Sequence, residues 1–106
     1  MRDLMYVEDA VDAFLIMGEE KKAIGEALNF GTGKDTRILN LAEKIIEISK
    51  SSSKIVHLKP REAEVGRLCC NPSKAFRLFQ WGAKTSLEEG LRKSVAWARE
   101  NRSASF

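Results

Sequence analysis

From Val7 to Leu15 the apolar residues Val7, Ala10, Val11, Phe14 and Leu15 recur at helical spacing, while Glu8, Asp9 and Asp12 fall mostly on the other side. The pattern predicts a helix with one buried stripe, weakened at its end by Gly18. A polar run carries the chain to "ALNFG", a short apolar stretch bounded by Gly31 and Gly33 that reads as a strand. Ile38, Leu41, Ala42, Ile45 and Ile48 then repeat at the spacing of a second amphipathic helix, with Asp35 or Thr36 placed to accept its first free N–H groups. The serine-rich "SKSSS" ends it, because serine hydroxyls compete for backbone hydrogen bonds.

In the second half, the β-branched run "KIVHLKP" predicts a strand that Pro60 terminates by removing a donor. A loop follows, with a short strand expected at Leu68–Asn71. Pro72 falls where a helix begins, and "SKAFRLFQW" supplies about two turns. The last helix carries the clearest start signal: Ser86 and Glu89 form a Ser-x-x-Glu capping box ahead of the stripe Leu87, Leu91, Val95 and Ala98. The tail "NRSASF" is expected to fray. With no internal repeat or heptad series, this order gives an α/β or α+β unit: a small sheet of short strands with about four helices.

Composition narrows the picture. At 106 residues, 43% hydrophobic and 31% charged, the chain fits one globular domain, residues 1–106, and excludes a disordered or collagen-like class. A net charge of +3, with acids and bases interleaved as in "EEGLRKSVAWARENR", argues against a dedicated nucleic-acid surface. No apolar run approaches the roughly 20 residues that span a bilayer, and no signal-peptide pattern opens the chain. Cys69 and Cys70 are adjacent, so they cannot staple distant segments. The expectation is a soluble, cytoplasmic protein with no membrane partner.

Candidate chemistry is sparse. "GTGK" from Gly31 invites a phosphate-loop reading, yet it lacks the full Walker and dinucleotide signatures and reads more simply as a strand-to-helix turn. His57 stands alone without metal-ligand spacing and is expected at the surface, and Cys69 and Cys70 read as inert thiols. No nucleophile triad or carboxylate pair stands out, so no catalytic or metal-ligating residue is assigned. What remains is arginine. Arg2 precedes the first helix, and Arg61 lies with Glu62 and Glu64 in the loop after a predicted strand. A guanidinium grips a diphosphate in bidentate fashion, and a carboxylate accepts from ribose hydroxyls.

Four stretches, "RDLMYVEDAVDAF", "LNFGTGKDTRILNLAEKI", "KPREAE" and "NPSKAFRLFQWGAKTSLEEGLRKSVAWARENR", together resemble the C-terminal part of NAD-dependent nucleotide-sugar epimerases and dehydratases, the extended short-chain dehydrogenase family. UDP-sugar 4-epimerases are the most similar members. Arg2, Asp3, Tyr6, Val7 and Asp9 fit the family's first pattern, with Leu4 where an aromatic is common. Arg61 and Glu64 fit its nucleotide-contacting Arg-x-Gly-Glu/Asp, with Ala63 in place of the glycine. Asn71 replaces an acid ahead of Ser73, Lys74 and Ala75, and Phe79 and Gln80 depart from a Leu-Gly-Trp pattern.

The resemblance implies that Arg2, Arg61 and Glu64 bind the nucleotide-sugar, a UDP-sugar in the nearest members. It implies further that the NAD loop and the Tyr-x-x-x-Lys pair belong to an N-terminal dinucleotide-binding domain, since Ala10 stands where Tyr6 would need its lysine. NAD would be held by the full-length parent and not by this chain, and residues 1–35 would pack on that domain. Left uncovered, the same residues would favour a homo-oligomer or a strand-exchanged dimer. The alternative to a nucleotide-sugar-binding region is a non-catalytic interaction module that self-associates or recruits a partner. A small basic nucleic-acid binder is the third reading.

Overall fold

The computed structural model describes residues 1–103. Its elements run β1 (Arg2–Asp3), α1 (Val7–Glu19), a 3₁₀ turn (Lys21–Ala23), β2 (Asp35–Thr36), α2 (Ile38–Ser49), α3 (Ser73–Phe79) and α4 (Leu87–Glu100). The α+β class with four helices and a small sheet holds. Strands β1 and β2 pair antiparallel with Arg2 opposite Thr36 and Asp3 opposite Asp35. On the other side of β1, Leu68 forms a parallel bridge to Arg2. The Asp3 N–H donates to the Leu68 carbonyl at 3.0 Å, and the Leu68 N–H donates to the Met1 carbonyl at 3.0 Å. Arg2 therefore sits on a strand flanked on both sides.

All four predicted helices form, but two local expectations change. Asp35 and Thr36 do not cap α2, because pairing with β1 takes them into β2; Arg37 is the N-cap residue and offers no side-chain acceptor. The expected buried stripe of α1 is also reversed. Val7, Val11, Phe14 and Leu15 are 50–79% exposed, whereas Asp9 and Ala13 are buried. Periodicity identifies an apolar face without identifying what covers it. Ser86 does cap α4, its hydroxyl accepting the Glu89 N–H at 3.2 Å.

The strands expected at 27–31 and 54–60 are absent, and of Leu68–Asn71 only the single bridge forms. Ladders need a neighbouring strand, and none lies beside 27–31 or 54–60 among the described residues. Residues 54–60 are exposed throughout, with Leu58 85% exposed and His57 at the surface. The expectation for the tail falls partly on residues 104–106, outside the described ones.

The core joins α1 to α3 through Ala13, Ala75 and Trp81, with Ile16, Phe30 and Phe79 packed around them. Phe30 meets Trp81 edge-on with centroids 4.9 Å apart. This small centre is the use made of "ALNFG": one aromatic anchors the segment where a sheet was expected. Helices α2 and α4 form a second contact, joined at one end by Arg99, whose Nη2 donates to the Ser49 carbonyl at 2.7 Å. Among the described residues no helix is long and apolar enough to cross a membrane.

Candidate nucleotide-sugar site

Pleating sends successive side chains of β1 to opposite faces, although Arg2 and Asp3 both border a cleft with Gly31 and Leu68. Arg2 also lines an open cleft of about 530 Å³ together with Arg61 and Glu64, and Ile38, Pro60 and Val65 are among its other walls. Thus the three residues expected from the sequence, 59 or more positions apart along the chain between Arg2 and the other two, border one space. The Arg2 Nη1 donates to the Met1 carbonyl at 2.9 Å. Arg61 and Glu64 form an ion pair at 3.8 Å, with the arginine side chain 87% exposed. An exposed pair of this kind contributes little stability and leaves the guanidinium available to another anion.

The turn that shapes this side of the cleft passes through Ala63, which adopts φ +58°. That is the left-handed region where glycine is at ease, and it is the position at which the resemblance expects glycine.

Asp3, on the opposite face, is the most heavily bonded carboxylate. It accepts from the Thr32 N–H at 3.0 Å, the Thr32 hydroxyl at 2.5 Å, the Gly33 N–H at 2.9 Å and the Cys70 N–H at 3.3 Å. Burial pushes its carboxyl up, but these hydrogen bonds, led by the Thr32 hydroxyl, outweigh burial and hold it below the ordinary value. The "GTGK" stretch is thereby explained. Two of its N–H groups do bind an anion, and that anion is Asp3 of the same chain. The Thr32 and Gly33 N–H groups are therefore taken by Asp3, and the Lys34 N–H by the Thr32 hydroxyl.

Asp35, opposite Asp3 in the register, makes a close ion pair with Arg67. The hydrogen bond from Arg67 is the main cause that holds the Asp35 carboxyl low. Because Arg67 adjoins Leu68, this pair links the two neighbours of β1. Cys70 packs against Gly31, and its thiol is pushed up by burial first and then by Asp3 and Cys69, so it stays neutral at pH 7. Both cysteines are free thiols. No cluster of three histidine, cysteine or acidic side chains with metal-binding geometry occurs among the described residues.

Sequence reasoning missed Asp3, Asp9, Asp35 and Arg67 as organising residues. Their partners lie 29 to 76 positions away, and no local spacing announces them. The family's first pattern includes Asp3 and Asp9, but it names them without the partners they bond.

A family model described as GDP-mannose 4,6 dehydratase matches residues 1–94, and the chain belongs to that family. Its resemblance to nucleotide-sugar epimerases and dehydratases holds. It is 34% identical over 100 residues to a putative UDP-glucose 4-epimerase of Methanocaldococcus jannaschii, covering 94% of this chain and 32% of that protein. An epimerase structure from Methanothermobacter thermautotrophicus matches with a TM-score of 0.89 and 33% identity, over 95% of this chain and 30% of the other. The Bordetella bronchiseptica enzyme WbmF, solved with NAD+ and UDP, matches with a TM-score of 0.77 and 30% identity, over 96% of this chain and 30% of the other. The chain spans about a third of the length of the curated relatives it matches.

Proposed function

We propose that the chain is the nucleotide-sugar-binding C-terminal region of an NAD-dependent epimerase or dehydratase, a UDP-sugar 4-epimerase in particular. The observation that carries this reading is the convergence of Arg2, Arg61 and Glu64 on one cleft. In the reading, Arg2 and Arg61 take the diphosphate and Glu64 accepts from the ribose. NAD supplies hydride transfer in the full-length enzyme, where the cofactor lies on a dinucleotide-binding domain against which residues 1–35 pack. This chain orients the sugar donor and has no activity alone. Support for uridine comes from relatives: one is named as a putative UDP-glucose 4-epimerase, and WbmF was solved with UDP. Cytoplasmic residence accords with two free, adjacent thiols.

Part of a pocket that must also order its loop retains about 4 kcal/mol of binding, corresponding to roughly millimolar affinity. The test is saturation-transfer NMR with UDP, UDP-glucose and GDP-mannose. Transfer to the uridine compounds that Arg61→Ala abolishes supports the proposal; equal transfer to all three, or none, counts against it.

A second reading is favoured by a separate observation, the exposed face of α1 formed by Val7, Val11, Phe14 and Leu15. It makes the chain an interaction module that self-associates or recruits a partner through that face. The two readings separate at Arg61: only the first makes this residue matter.

A further inference from the structure

The carboxylate of Asp3 touches neither Arg61 nor Glu64, yet it controls both neighbours of the strand that carries Arg2. Through Thr32 and Gly33 it fixes the turn leading into β2, and through Cys70 it fixes the segment that follows Leu68. The Leu68 side continues to the cleft by a short chain of contacts. Leu68 N–H and Arg2 Nη1 both donate to the Met1 carbonyl, at 3.0 and 2.9 Å. Leu68 thus bonds the backbone on both sides of Arg2, accepting from the Asp3 N–H and donating to the Met1 carbonyl that also receives the Arg2 guanidinium, so residues 68–70 brace the strand from which Arg2 projects. Gly31 allows the arrangement, because a Cβ there would lie 2.6 Å from the Cys70 Cβ and 2.9 Å from Asp3 Oδ2.

We propose that Asp3 is a positioning residue for the anion-binding cleft: by clamping the 31–33 turn and the 68–70 segment onto β1, it holds Arg2 in register with Arg61. This rests on the reading of the cleft as a diphosphate site, but the clamp itself has consequences without ligand. Asp9 supplies the contrast. It is a buried carboxylate that also accepts two backbone N–H groups, from Lys84 and Thr85, and neither it nor those partners line the cleft of Arg2, Arg61 and Glu64. A purely structural role for Asp3 makes the two aspartates behave alike.

The experiment compares wild type, Asp3→Asn and Asp9→Asn in two measurements on the whole chain. Amide hydrogen exchange should show Leu68 and Cys70 losing protection about tenfold in Asp3→Asn and not in Asp9→Asn, with α4 unchanged in Asp3→Asn. Titration with UDP should show affinity falling about tenfold in Asp3→Asn and less than about twofold in Asp9→Asn. If Asp3→Asn does not fold, Thr32→Val removes the hydroxyl donor to Asp3, together with the acceptor of the Lys34 N–H, and should change both readouts in the same direction by about threefold. Unchanged exchange at Leu68 and Cys70 overturns the clamp, whatever UDP does. Local loss of protection with UDP affinity unchanged also overturns the proposal, while leaving the cleft reading intact. If UDP fails to bind the wild type, the cleft reading falls; the inference is then decided by the Arg2 guanidinium NMR signal, which must broaden or shift in Asp3→Asn and stay fixed in Asp9→Asn.

Discussion

The carboxylate of Asp9 in α1 accepts the Thr85 N–H at 3.0 Å, and with it the Lys84 N–H at 3.3 Å, just before α4 begins. Asp9 is 4% exposed, so these bonds replace water that the carboxylate has lost. Replacing it by alanine leaves two backbone donors without their acceptor. We expect Asp9→Ala to cost about 3 kcal/mol and Asp9→Asn about half as much, read from urea unfolding midpoints at constant slope. A loss in Asp9→Ala below about 0.5 kcal/mol, the range of ordinary surface substitutions, contradicts this role.

Asp3 gives the fold an acid limit. Its folded carboxyl lies below the ordinary value, despite burial, because of its hydrogen bonds from Thr32, Gly33 and Cys70. Its stabilisation is therefore fully present above the unfolded pKa and is lost as pH falls through the folded one. Asp35, held low mainly by Arg67, acts in the same direction. Stability should be steady near neutrality and decline below about pH 4. In Asp3→Asn the decline becomes shallower, and an identical slope would remove Asp3 from the account.

Two small side chains test the backbone near the site in opposite senses. Gly31→Ala puts a Cβ 2.6 Å from the Cys70 Cβ, so it should destabilise by about 1–3 kcal/mol. Ala63→Gly relieves a φ of +58° and should stabilise by about 1 kcal/mol or leave stability unchanged. Thermal midpoints of the two variants check both signs. A stabilised Gly31→Ala would mean that Cys70 and Asp3 are not packed as described.

The exposed stripe of α1 predicts association through a defined face. Phe14, at 79% exposure, is its most prominent member. Sedimentation equilibrium should show self-association that rises with concentration, and Phe14→Glu should shift the chain towards monomer. Monomer at every concentration in the wild type contradicts the prediction.

Helices were legible because their signal is local. The repeats of α2 and α4 and the Ser86 cap each lie within a few turns, and the structure forms both helices and that cap. The orientation of α1 was not legible, since the same periodicity serves a face packed inward or left open. Strands failed for a different reason. β1 and β2 are two residues each and exist through pairing across some 30 positions, whereas the strongly β-prone 54–60 has no neighbour to pair with. Arg2, Arg61 and Glu64 came from resemblance to a family, because an arginine in a loop carries no chemistry by itself. Asp3 was legible as part of the family's first pattern but its role was not, because that role lies in bonds to Thr32, Gly33 and Cys70, whose proximity only the fold creates.

The most direct test of the cleft is a double-mutant cycle for UDP binding, with dissociation constants measured for wild type, Arg2→Ala, Arg61→Ala and the double variant. If both guanidiniums hold one diphosphate, wild type saturates in the millimolar range, each single change weakens binding several-fold, and the double change costs less than the sum. Binding that is indifferent to Arg61→Ala, or single effects that add as independent sites, would contradict a shared nucleotide site.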